Sequence, residues 1–143
     1  MKIVINDDYG GFGLSPKGKQ RYLELKGQKA YFYQRTSYEL YNTTFERIDD
    51  IDDITDIFFY CTTRDQGKLI SDYPENIFYS GSIKRNDPIL VQVVEELGDE
   101  ASGECATLKI VEIENGRWFK IDEYDGWESI QYRDIDDEWI LAE

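Results

Sequence analysis

The chain has 143 residues, which fits one domain able to bury roughly two-thirds of its unfolded surface in a single core. Its apolar share of 41% and aromatic share of 15% oppose disorder. A net charge of −14 repels extended nucleic acid and anionic membranes, and the absence of histidine removes the commonest general base and zinc ligand.

In chain order, Lys2–Asn6 reads as a short apolar strand, followed by the turn Asp7-Asp8-Tyr9-Gly10-Gly11-Phe12-Gly13. Ser15-Pro16 opens a helix, because serine caps the free amides and proline suits the first helical position. Tyr22 and Leu25 can face a core, Gly18 weakens the helix, and Gly27 stops it. Ala30–Arg35 reads as the next strand of a compact βαβ-like opening. Residues 36–56 read as a polar stretch ending in acids, and Ile57–Thr63 as a further strand with a loop at Asp65-Gln66-Gly67. Asp87-Pro88 opens the clearest helix, where Leu90, Val93, Val94 and Leu97 form one buried stripe before Gly98. Cys105–Ile113 reads as a strand, and Trp118–Tyr132 as a hairpin on the type I′ turn Asp125-Gly126. That turn pairs Tyr124 with Trp127, Ile121 with Ile130, Phe119 with Tyr132 and Arg117 with Asp134. The expected fold is α+β, with a mixed, mostly antiparallel sheet carrying two principal helices, in one domain spanning 1–143.

Cys61 and Cys105 lack C-x-x-C spacing and sit in apolar runs, so both are expected as buried free thiols. The lead MKIVIN is too short for a signal peptide and no apolar run suits a membrane span, so the expected location is the cytoplasm.

Chemistry concentrates in the first 35 residues, where seven cations against three acids give a local charge of +4 and leave −18 for the rest. There Tyr9, Gly10, Gly11, Phe12, Gly13, Ser15 and Lys17, with Lys19 and Arg21 in the following turns, combine a tight glycine turn, a helix N-terminus and positive charge, a pattern suited to a small anion. The spacing is neither a dinucleotide fingerprint nor a P-loop. A plain strand-to-helix turn is the structural alternative. Arg85 and Asn86 stand before the second helix, where arginine can grip a phosphate or carboxylate through two parallel bonds. There the alternative is a surface arginine beside an Asp87 cap. The acids at 49–56 lack the EF-hand arrangement and read as a solvated loop. Glu123 and Glu128, opposed in the hairpin, must lie at an exposed rim or meet a cation or partner.

The blocks KIVIN, YGGFGLS, RNDPILVQVVEELGDEASG with LKIVEI, and IDEYDG resemble those of a family of small uncharacterised proteins encoded by phages and prophages. The resemblance covers both ends and 85–113; residues 36–80 and the tail beyond the EYDG hairpin depart from it. It implies a phage context, in which small accessory proteins counter host defences, and carries no established activity or site residues.

The reading taken forward is a non-enzymatic phage protein of the host cytoplasm that sequesters a phosphate-bearing nucleotide immune signal. Phosphate would sit on the Gly10–Gly13 amides and the Ser15 helix end, with Arg85 as counter-charge and Tyr9 or Phe12 stacking on a base. It requires no cofactor or metal. The second reading is an acidic inhibitor of a host defence protein, acting as a nucleic-acid mimic. A third is a metal-dependent nuclease or phosphodiesterase. Whether copies associate into a homo-oligomer stays open.

Overall fold

The computed structural model describes residues 1–36, 43–55, 58–133 and 142. Its strands are β1 (Lys2–Asn6), β2 (Tyr31–Arg35), β3 (Phe45–Ile48), β4 (Phe59–Thr62), β5 (Leu69–Ile70), β6 (Leu108–Glu112), β7 (Trp118–Tyr124) and β8 (Trp127–Arg133). Two α-helices, α1 (Pro16–Leu25) and α2 (Pro88–Leu97), accompany them, with 3-10 turns at Ile51–Asp53, Ser80–Ser82 and Gly98–Ala101. The α+β class expected from the sequence is observed.

All strand pairings among the described residues are antiparallel and fall into three sheets, β1-β6, β4-β2-β3-β5 and β7-β8. The opening is therefore not a βαβ unit, since β1 pairs with the distant β6 while β2 joins another sheet. Strand β1 is buried on both faces. Val4 joins the larger core with Leu90, Val93, Val94 and Leu108, while Ile3 and Ile5 meet Ile113 and the hairpin's Phe119, Ile121 and Ile130. An apolar run without alternation is what a strand covered on both sides requires.

Both helices start as their sequences dictate. Ser15 Oγ accepts from the Gly18 amide at 3.0 Å, and an Asp87 carboxylate oxygen accepts from the Ile89 amide at 2.8 Å. Leu90 and Val93 are fully buried, Val91 and Val94 nearly so, and Leu97 is half-buried against the core. Gly18, a weak helix former, allows close approach, because a Cβ there would stand 3.0 Å from the Ala101 carbonyl oxygen. Tyr22 donates to Asp87 at 2.7 Å, tying one helix to the other's cap. Burial, with the Asp87 carboxylate beside it, pushes the Tyr22 hydroxyl's pKa well up.

Two strands lie where the sequence reading assigned none. Strand β3 falls in 36–56, and β5 follows the Asp65-Gln66-Gly67 turn. Strand β4 begins at Phe59, and the Ile57 end of that expected strand lies outside the described residues. Strand β6 starts three residues later than expected, at Leu108. Residues 103–106 instead close a turn, in which the Ala106 amide donates to the Gly103 carbonyl at 3.0 Å. Cys105, on that turn, is exposed, contrary to expectation, whereas Cys61 on β4 is buried and free.

The hairpin has the expected register, Tyr124 opposite Trp127 through Trp118 opposite Arg133. Asp125 at φ 50° and Gly126 at φ 86° supply the two positive-φ residues of a type I′ turn. The Arg117–Asp134 pair of the same expectation reaches outside the described residues. No helix among the described residues is long and apolar enough to cross a membrane.

Candidate functional site

The residues singled out by sequence divide between two places, a latch that holds the hairpin to the body and a cleft beneath the glycine turn. At the latch, Arg85 Nη2 donates to Glu128 Oε2 at 2.8 Å and Nη1 donates to Oε1, the bidentate geometry of a guanidinium on a carboxylate. Glu128 is buried, and its Oε1 also accepts from the Asn6 amide at 2.8 Å. The Arg85 guanidinium carbon lies 3.6 Å from the centre of the Phe12 ring. Arg85 thus does grip an oxyanion, but that oxyanion belongs to the chain. Of the alternatives for the opposed glutamates, Glu128 has met a cation and Glu123 lies exposed.

Asn6 completes the latch. Fully buried at the end of β1, it donates from Nδ2 to the Asp8 and Gly126 carbonyls at 2.8 and 2.9 Å. Its Oδ1 accepts from the Thr107 amide at 2.9 Å. The hairpin tip sits directly on the glycine turn, where the Gly10 amide donates to the Asp125 carbonyl at 3.2 Å. A Cβ on Gly126 would fall 2.2 Å from the Gly11 nitrogen, and one on Gly10 would fall 2.7 Å from the Cys105 Cβ. Part of the glycine richness therefore serves contact between chain segments.

On its other side the turn borders a cleft of about 600 Å³. Gly10, Gly11, Phe12, Gly13 and Ser15 line it, as do Phe59 and Lys19, and Glu104 stands on its lining as its acidic group. The amides of Gly11, Phe12 and Gly13 donate to no acceptor among the described residues. The Ser15 side chain is occupied, accepting from Gly18 and donating to the Glu100 carbonyl.

The other expected site residues lie elsewhere. Lys17 is exposed and ion-paired to Glu100 at 2.9 Å. Tyr9 leaves the cleft to pack edge-on against Trp127, ring centres 4.7 Å apart. Asn86 is exposed, and neither it nor Arg85 borders the cleft. A convergence of Arg85 with the glycine turn in one open anion site is therefore corrected: Phe12 touches both, but the Arg85 charge is spent on Glu128.

Lys19, counted in the sequence among the cations after the glycine turn but not among the ligand contacts, is the functional candidate of the cleft. Three of the seven cations of the basic segment face acids of α2 and its following turn: Lys2 meets Glu95, Arg21 meets Glu96, and Lys17 meets Glu100. Lys26 and Lys29 are exposed, over the Tyr22 and Tyr31 rings. Lys19 instead is half-buried over the Phe59 ring, its Nζ 5.1 Å from the ring centre, with no carboxylate in ion-pair distance among the described residues. Desolvation holds its ammonium below the usual lysine pKa, partly opposed by the nearby Cys61 thiol. The signal that could have found it is helical spacing, since Lys19 lies four residues after the cap and so above it, whereas Lys17 points away. Among the described residues no group of three or more acidic or cysteine side chains is placed to hold a metal. Comparison with protein-family models, curated proteins and solved structures finds no match for this chain.

Proposed function

We propose that this chain is a non-enzymatic binding protein that sequesters a small phosphate-bearing ligand of nucleotide type in the cleft beneath the glycine turn. The observation that carries this reading is Lys19, a half-buried cation without a carboxylate in a chain of net charge −14. A phosphate there would compensate the hydration that burial takes from the ammonium, and the amides of Phe12 and Gly13, without acceptors among the described residues, offer further donors. Phe12 and Phe59 give the cleft flat apolar walls for a base. Arg85 has no ligand role in this revised site. The host immune signal and the phage context rest on the resemblance of the sequence blocks.

Calorimetric titration with a panel of mono-, di- and cyclic nucleotides tests the reading. At least one is expected to bind, and Lys19→Met is expected to weaken it about 10- to 100-fold, the value of a charge-assisted bond. Absence of binding across the panel, or binding indifferent to Lys19→Met, overturns it.

One observation favours the second reading, an acidic inhibitor of a host protein. Trp118, Tyr124 and Trp127 are exposed on the outer face of the hairpin, beside Tyr9, and exposed aromatic groups of this kind suit protein recognition. Native mass spectrometry of material from infected, defence-active cells separates the readings by whether a small molecule or a protein is retained.

A further inference from the structure

We propose that Lys19 is a covalent capture site for a phosphorylated aldehyde, which condenses with its Nζ to an imine inside the cleft. The inference relies on the function proposed above for the phosphate contacts and goes beyond it in giving the amine a chemical role.

The geometry supplies what imine formation needs. The side chain rises from the first turns of α1 into a cleft of about 600 Å³, room for a small ring with its phosphate. Its neighbours there are the Phe59 ring and the buried Cys61, which lie on the same face of β4, two residues apart. No carboxylate within ion-pair distance among the described residues holds the amine in its charged form. An amine nucleophile must be neutral, and an apolar pocket favours that form. Burial does depress the pKa of this lysine, in agreement with the geometry. The exposed lysines differ: Lys2 and Lys17 are ion-paired to Glu95 and Glu100, and Lys26 and Lys29 stand in solvent.

The step balances without an oxidant or reductant. The Nζ lone pair attacks the carbonyl carbon and the carbon–oxygen π electrons move to oxygen. The resulting carbinolamine loses the two amine hydrogens and that oxygen as water, leaving a C=N bond. The phosphate of the same molecule would lie toward the Phe12 and Gly13 amides, which orients the aldehyde before reaction.

The probe is pyridoxal 5′-phosphate at a stoichiometric amount near neutral pH, trapped by borohydride and located by peptide mapping, with phosphate-free pyridoxal as the second arm. One equivalent on Lys19 is expected, with labelling slower by about tenfold or more for pyridoxal, as loss of a charge-assisted contact implies. Lys19→Arg, which keeps the charge but cannot form the imine, is expected to leave the chain folded by circular dichroism and unlabelled at this position. The wild-type map is decisive even if that variant misfolds. Labelling spread over Lys17, Lys26 and Lys29 as in urea-unfolded chain, with Lys19 unmodified, overturns the proposal. Selective but equal labelling by both probes upholds the reactive amine and removes the phosphate contact. Nucleotide binding without any Lys19 adduct overturns the capture site alone and leaves the sequestering function standing.

Discussion

At the scale of single residues, burial separates groups that look alike in sequence. Cys61 and Cys105 are both isolated cysteines, yet Cys61 packs in the core with Tyr22 and Leu23 of α1 while Cys105 sits on the 103–106 turn. Burial pushes the Cys61 thiol up to about 12, which leaves it almost without thiolate at neutral pH. A disulfide-exchange reagent is therefore expected to titrate one thiol in the native protein and two in denaturant, and Cys105→Ser should abolish the native reaction. Fast reaction of both native thiols would contradict the packing of β4 on α1. Lys17 and Lys19 differ for the same reason. Sequence shows their charge, but which one loses its water depends on β4, some forty residues away. Gly11 illustrates a further limit. At φ 97° it would strain under any side chain, so Gly11→Val would impair folding whether or not a phosphate approaches, and cannot separate the two.

At the scale of elements, legibility followed the strength of local rules. Helix α2 and the hairpin were readable because a cap, a 3.6-residue stripe and an Asp-Gly turn each fix geometry within a few residues. Strand β3 was not, because four residues with a single buried position, Phe45, carry no alternation. Pairing between sheets was hidden as well, and with it the identity of the partner of Arg85. The latch yields a measurable coupling. Arg85→Met or Glu128→Met alone should lower stability by about 2–3 kcal/mol, because each strands the other charge, Glu128 buried and Arg85 half-buried. The double variant should lose clearly less than the sum, since it removes both charges together. Urea unfolding of the four proteins measures this. Additive losses below about 0.5 kcal/mol would show that the pair does not hold the hairpin to the body.

For the whole molecule, charge is the dominant long-range term. The ion pairs from Lys2, Lys17 and Arg21 to α2 and its following turn are exposed, and such pairs contribute about 0–1 kcal/mol each. Self-repulsion of a net −14 acts over the entire surface. Raising sodium chloride from about 0.01 M to 1 M shrinks the screening length from roughly 30 to 3 Å, which weakens both. Repulsion is the larger, so the melting temperature is expected to rise with salt; a fall would show that the cross-helix pairs outweigh it. The same −14 set the expectation against extended nucleic acid yet said little about the cleft, where one lysine stands against one glutamate, Glu104.

The pairing of β1 with β6 reaches beyond the static fold. Lys2 lies opposite Glu112, and the Met1 amino group donates to the Ile113 carbonyl at 2.9 Å. Strand β1 therefore has no strand partner until about a hundred further residues have left the ribosome. Its apolar residues, and the glycine turn behind them, stay exposed over that interval. Contacts so distant in sequence slow the search for the native state, and a waiting apolar strand is open to association with other chains. Chaperone demand in the cell should thus be set by the delay before β6 emerges, more than by the stability of the finished protein.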